Sequence, residues 1–199
     1  AFVSDYARLD IIYSYGGIYL DTDVEVLKSF DSLLDYECFM GIEDGSLCVA
    51  TGLGFGAVAH NDFIKENLVM YDNLKLFDEN TGKMNPLNCP IITTNLLKKY
   101  GYNSLNVNQI IHNVYIFSSE YFCPMNYYTG IVTITNNTYS IHKYNMSWLS
   151  RLDKCIYYIF KFCFKIFGKT IGNYLGSFLS LPFKILKKIK RRLKNYEKK

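Results

Sequence analysis

Asp21 and Asp23 stand one residue apart in Leu20-Asp21-Thr22-Asp23-Val24, directly after the apolar run Ile18-Tyr19-Leu20. Two carboxylates in a tight turn at a strand end offer oxygen ligands to a hard divalent cation, and Mn2+ and Mg2+ both suit such a site. Asp5 and Arg8, three residues apart, share one face if their segment is helical. A carboxylate and a guanidinium on one face bind hydroxyls and phosphate oxygens, or else form a simple surface ion pair. An isolated Asp-x-Asp is a weak signal in an acidic chain, so its surroundings decide its meaning.

The elements that must position these residues follow from periodicity. Ser4 to Tyr15 reads as a helix with Ser4 as its cap, stopped by Gly16-Gly17. Ile18–Leu20 and Val24–Leu27 read as strands on either side of the acidic turn, a strand end being where open α/β sheets place ligands. Cys38–Ile42, Val114–Phe117, Ile131–Ile134 and Tyr139–His142 read as further strands, and Asn61–Tyr71 and Thr93–Tyr100 as helices. This alternation predicts an α/β domain over residues 1–150. Gly52, Gly54 and Gly56 form GxGxG outside the dinucleotide-binding context and read as close-packed backbone.

The formal charge of +4 hides a division. Residues 1–150 carry 8 Lys/Arg and 16 Asp/Glu, a net of −8, whereas residues 151–199 carry 14 and 2, a net of +12. Cys155–Phe167 is almost wholly apolar apart from Lys161 and Lys165, and on a helix Lys154, Lys161, Lys165 and Lys169 gather on one face. Lysines at the centre of a bilayer would cost about 3 kcal/mol each, so an interfacial amphipathic helix is expected rather than a spanning one. Pro182 marks a break before a basic end, Lys184–Lys199. Basic tails bind phosphates generally, but aromatic residues beside a lysine stripe favour an anionic membrane surface, via residues 154–199, over nucleic acid. The six cysteines show no CxxC or Cys/His zinc spacing and read as free, mostly buried thiols in a reducing cytosol.

The stretch Ser4-Asp5-Tyr6-Ala7-Arg8, then Tyr15-Gly16-Gly17-Ile18-Tyr19-Leu20-Asp21-Thr22-Asp23-Val24-Glu25, closely resembles the DXD-type sugar-transferase family. That family includes α-mannosyltransferases of outer-chain synthesis and bacterial capsule and oligosaccharide enzymes. Tyr139-Ser140-Ile141-His142 followed by Ser147-Trp148 resembles the family's terminal strand and loop. The resemblance covers most of residues 1–150 and implies a GT-A-like nucleotide-sugar-binding fold there, while residues 151–199 are read from their charge and periodicity as a membrane-associating tail. It implies transfer of a hexose from a nucleotide-sugar, a UDP-sugar in our reading, to a glycan or lipid-linked acceptor, with retention of configuration, in surface polysaccharide or oligosaccharide synthesis.

By that resemblance Asp5, Arg8, Asp21 and Asp23 are the catalytic set. Asp5, Arg8, Tyr19, Asp21, Ser147 and Trp148 contact the donor. Asp21, Asp23 and His142 are the metal set for Mn2+ or Mg2+, with Asp23 the direct ligand and Asp21 facing the ribose or the metal's waters. Glu25 is either a supporting group or simply exposed. His60 and His112 have no such context and are expected to be structural. Pro90–Asn95 departs from the family's Gly-Pro by carrying Cys89, and its expected role is on the acceptor side. Relatives begin with a base-binding strand that would precede Ala1, so a longer natural chain is expected. The expected location is cytoplasmic, peripheral on the inner face of the plasma membrane. The rival reading is a catalytically inactive membrane scaffold of the same fold.

Overall fold

A computed structural model of the chain describes residues 2–72, 74, 88–145 and 149–196. The chain divides into two compact units, Ala1–Met125 with Val132–Lys143, and Asn126–Ile131 with Tyr144–Lys199.

The first unit is mixed α/β. Its strands are β1 (Gly17–Tyr19), β2 (Val24–Val26), β3 (Cys38–Gly41), β4 (Phe55–Ala57), β5 (Gln109–Ile111), β6 (Val114–Phe117) and β7 (Ser140–His142). Five form a sheet in the order β1-β4-β3-β6-β5, in which β3 and β6 run parallel and the other pairs antiparallel. The remaining two, β2 and β7, form a separate antiparallel ribbon. Helices α1 (Phe2–Tyr15), α2 (Asp62–Asp72) and α3 (Cys89–Lys99) cover the sheet, and a short α4 (Ser119–Phe122) follows β6. Leu9 and Ile12 of α1, Phe63, Ile64 and Leu68 of α2, and Ile92, Leu96 and Leu97 of α3 are buried against Met40, Phe55, Val114 and Ile116 of the sheet. Removing these apolar faces from water is the main force holding the unit together.

α1 starts earlier than expected, so Ser4 lies inside the helix instead of capping it, and its carbonyl accepts from Arg8 Nε at 3.3 Å. The helix stops at Gly16 (φ 67), whose N–H donates to the Ile12 carbonyl at 2.8 Å. A side chain there would strike Ala59 N at 2.8 Å, so the turn into β1 requires glycine. The expected helix over Thr93–Tyr100 begins at Cys89, because Asn88 accepts the Ile91 N–H and Pro90 sits in the first turn, where its missing N–H costs nothing. No strand forms over Ile131–Ile134. Val132 makes one isolated bridge to Met125, and Ile131 and Ile134 are exposed, so the β-branched run lacks the apolar partner face a strand needs.

The second unit is built on α5 (Arg151–Leu179) and α6 (Leu181–Tyr196). Ser150 caps α5 by accepting the Asp153 N–H at 3.2 Å. Gly168 (φ 68, ψ 177) breaks α5 into two segments, a backbone state that only glycine adopts readily. The later segment packs closely on the earlier one: a side chain at Gly172 would strike the Cys163 carbonyl, and one at Gly176 the Phe160 ring. The second break falls at Ser180, two residues before the expected Pro182, which lies in the first turn of α6. Among the described residues no helix is long and apolar enough to cross a membrane. The cysteines are free, with Cys38, Cys89, Cys123 and Cys163 buried, Cys48 half-buried and Cys155 exposed.

Candidate metal centre

The helical spacing of Asp5 and Arg8 brings them together on the inner face of α1, where both are buried. Arg8 Nη2 lies 3.0 Å from Asp5 Oδ1 and 3.2 Å from Asp21 Oδ1, and its guanidinium carbon is 4.8 Å from the Tyr19 ring centroid. Tyr19 Oη donates to the same Asp21 oxygen at 2.8 Å. A surface ion pair is therefore excluded, since Arg8 is a buried bridge between two carboxylates and one face of an aromatic ring. Burial raises the Asp5 carboxyl above the usual range, with Arg8 opposing. Burial also works against the charge on Arg8, but the acidic groups around it outweigh that and its pKa is raised. The Tyr19 hydroxyl is raised by burial and then by its bond to Asp21.

Asp21 and Asp23 occupy the turn joining β1 to β2, closed by the Val24 N–H on the Asp21 carbonyl at 3.0 Å. The β2–β7 register pairs Val24 with His142, which carries the imidazole across from a distant part of the sequence. His142 Nε2 lies 3.3 Å from Asp23 Oδ1, and the Lys143 N–H donates to the Asp23 carbonyl at 3.0 Å. One ligand atom from each of Asp21, Asp23 and His142 lies within 4.8 Å of the others. Octahedral ligands about 2.1 Å from one ion stand about 3 Å apart when adjacent and about 4.2 Å when opposite, so small side-chain shifts let this set share a cation. Asp5 and Asp21 flank the single Arg8 guanidinium and Asp23 adds a third carboxylate beside His142, so acidic side chains outnumber the one arginine, an arrangement that suits a cation. Glu25 points elsewhere, 2.5 Å from Lys143 Nζ on the half-exposed ribbon.

Gly52 was not singled out by sequence reasoning as part of this site. A Cβ at Gly52 would stand 2.5 Å from Asp21 Oδ2 and 3.2 Å from Arg8 Nη1, while its carbonyl accepts the Asp21 N–H at 3.4 Å. The absence of a side chain here lets the Asp21–Arg8 pair lie against the backbone. The GxGxG reading as close-packed backbone holds, because Gly54 faces Leu20 and Gly56 faces the Phe39 ring in the same manner. No sequence signal distinguishes Gly52 from its two neighbours.

The Pro90–Asn95 run has a structural part. Thr94 Oγ1 accepts the Val49 N–H at 2.9 Å and Thr93 Oγ1 accepts from Asn67 at 3.0 Å, both buried. Cys89 lies at the inner edge of the site, in hydrogen-bond contact with Asp5, and burial pushes its thiol up to about 12. His60 adopts φ 61 and donates its N–H to the Tyr13 carbonyl, and His112 stacks on Tyr100 and lies 3.2 Å from Glu66, away from Asp21 and Asp23. Ser147 and Trp148 lie outside the described residues.

Residues 1–40 match the family model described as "Glycosyltransferase sugar-binding region containing DXD motif". The match covers α1, the Asp21–Asp23 turn and the start of β3, and it bears out the resemblance carried by Asp5, Arg8, Asp21 and Asp23. No curated protein and no solved structure matches the chain.

Proposed function

We propose that this glycosyltransferase-type site transfers a hexose from a UDP-sugar to a glycan or lipid-linked acceptor, with retention, in surface polysaccharide or oligosaccharide synthesis. The observation that carries the reading is the convergence of Asp21, Asp23 and His142 beside the buried Asp5–Arg8 pair, inside the segment that matches the sugar-binding region. In this reading Asp21, Asp23 and His142 hold Mn2+ or Mg2+, and the imidazole favours Mn2+ of the two. The bound ion would supply charge neutralisation to the donor diphosphate.

The chain's own groups do the rest. Arg8, fixed by Asp5, Ser4 and Asp21, presents a guanidinium that cannot rotate freely, so its charge is oriented before the donor arrives. Asp5 accepts from hydroxyls of the donor hexose, and Tyr19 orients the Asp21 carboxylate for the ribose or the ion's waters. Ser147 and Trp148 are assigned to the donor on the family resemblance alone. As the bond between anomeric carbon and diphosphate oxygen lengthens, negative charge grows on the departing diphosphate next to Arg8. The acceptor hydroxyl enters on the same face and loses its proton to that departing oxygen.

The second unit supports a peripheral position on the inner, cytoplasmic face of the plasma membrane. Phe162, Ile166, Ile171, Tyr174 and Phe178 are exposed on α5 among the lysines, and apolar side chains beside cations suit the interface of an anionic bilayer. The test of the transferase is nucleotide release from a panel of UDP- and GDP-sugars with Mn2+, run beside the Asp21→Asn/Asp23→Asn double variant. Release that needs Mn2+ and disappears in the variant supports the reading. A folded protein with neither release nor Mn2+-dependent donor binding refutes it in favour of the inactive scaffold.

A further inference from the structure

The second unit contains an open cavity of about 230 Å³ lined by Tyr127, Tyr128, Tyr157, Phe160, Lys161 and Phe164. Its walls are aromatic rings, and ammonium groups are set over them. Lys161 Nζ lies 5.6 Å from the Tyr157 ring centroid, Lys169 Nζ 4.6 Å from that of Tyr128, and Lys184 Nζ 5.2 Å from that of Phe160. The Lys161 stem is held against Gly130 (φ 70), where any side chain would collide with its Cε.

Two features of the cavity bear on what it could hold. The Tyr157 hydroxyl is buried and has no hydrogen-bond partner among the described residues, and burial pushes its pKa up to about 12. Buried hydroxyls are ordinarily bonded, so a ligand oxygen brought beside this one would gain a donor. Among the described residues of the unit, no carboxylate pairs with these three ammonium groups. Asp153 is the single carboxylate side chain among the described residues of the unit, and it is bound by Lys187 and the Ser150 hydroxyl. Burial, together with the charge of Lys165, lowers the Lys161 pKa, and a bound anion would reverse that.

We propose that this cavity binds a phosphate-bearing amphiphile, its phosphate held by Lys161, Lys169 and Lys184 and the first part of its apolar chain lying between the rings of Tyr127, Tyr128, Phe160 and Phe164. Drug-sized ligands fill roughly 300–1,000 Å³, so a smaller cavity takes the beginning of one chain and leaves the remainder outside. Aromatic walls accept the chain by apolar burial, and ammonium donors give a phosphate charge-assisted hydrogen bonds. The proposal builds on the membrane part of the proposed function and is independent of the transferase reading. It replaces diffuse surface attraction with one stoichiometric site.

The test is calorimetric titration of the full chain with dodecyl phosphate below its micelle concentration. Inorganic phosphate, dodecyl maltoside and soluble dihexanoyl phosphatidylglycerol are run alongside. The expected result is one dodecyl phosphate per chain, bound on the order of tenfold more weakly by Lys161→Met and several-fold more weakly by Tyr157→Phe. Phosphatidylglycerol binding as tightly identifies bilayer phospholipid as the source, whereas preference for dodecyl phosphate identifies a single-chain lipid phosphate. Dodecyl phosphate bound no better than the maltoside, or bound equally by both folded variants, overturns the proposal. Flotation with phosphatidylglycerol vesicles is measured separately on the wild-type chain. Its loss in the wild-type chain, with dodecyl phosphate still bound, would fail the membrane reading and leave the cavity standing.

Discussion

Replacing Gly52 by alanine adds one methyl group at the point where the backbone meets the Asp21–Arg8 pair. The new Cβ would stand 2.5 Å from Asp21 Oδ2, and ordinary contact begins near 3.4 Å, so about 0.9 Å must be recovered by movement. Asp21 cannot turn aside cheaply, because its other oxygen is held by Arg8 at 3.2 Å and Tyr19 at 2.8 Å. Retreat of the carboxylate therefore moves a proposed metal ligand and loosens the guanidinium together. A misplacement of about 1 Å in a reacting constellation costs on the order of 100-fold in rate. The fold should survive. Gly52 is not in the left-handed region, and the local push, about 1–3 kcal/mol, is partly offset by the gain of roughly 0.4–1 kcal/mol when Gly becomes Ala at a compatible backbone. Mn2+-dependent nucleotide release should fall about 100-fold in Gly52→Ala and Mn2+ binding, read by electron paramagnetic resonance, should weaken, while thermal unfolding stays cooperative. A folded variant with release and Mn2+ affinity within twofold of wild type would show that Asp21's position is not what the site depends on.

Asp23→Asn and His142→Ala should each weaken Mn2+ binding by at least about tenfold in the same resonance titration, and equal affinities in either variant would remove that residue from the ligand set. Arg8→Met leaves Asp5 and Asp21 without their shared cation inside the protein and should lower stability by about 3–5 kcal/mol in urea unfolding. Arg8→Lys should recover little of it, since one ammonium cannot span Asp5, Asp21 and Ser4. An unchanged urea midpoint in Arg8→Met would contradict the buried bridge. Burial raises the Cys38 and Cys89 thiols, Cys89 to about 12, so their reactive thiolate forms in quantity only as pH climbs toward those values. At pH 8 iodoacetamide should modify exposed Cys155 and spare Cys38 and Cys89 until urea unfolds the chain, as mass spectrometry of the labelled peptides would report.

What could be read from sequence was what lies close along the chain. Asp5 and Arg8 fall one helical turn apart, and Asp21 and Asp23 are one residue apart in a turn, so local geometry alone brings each pair together. His142 was legible through resemblance, but its place depends on a register: Val24 opposite His142 directs the ring toward Asp23, and a slip of one residue would turn it to the opposite face. Element ends were read less well where a local signal had two meanings. The helix expected from Thr93 begins at Cys89, because proline in a first turn behind an asparagine cap starts a helix. β4 and β5 went unread for other reasons: β4 is interrupted by Gly56, which leaves room for the Phe39 ring, and β5 is an edge strand with no fully buried residue to mark an inner face.

Gly52 extends the same argument to its limit. Nothing in its neighbours along the chain distinguishes it from Gly54 or Gly56, since its role is defined by where Asp21 and Arg8 arrive after α1, β1 and the loop before β4 have packed. A residue that acts by having no side chain leaves no chemical signature, and only the approach of other groups reveals what its absence permits. The site is therefore two things at once. It is a short-range code of acids and one arginine, readable in the first 23 residues, and a long-range fit supplied by Gly52 and His142 that holds those acids where a divalent ion could use them.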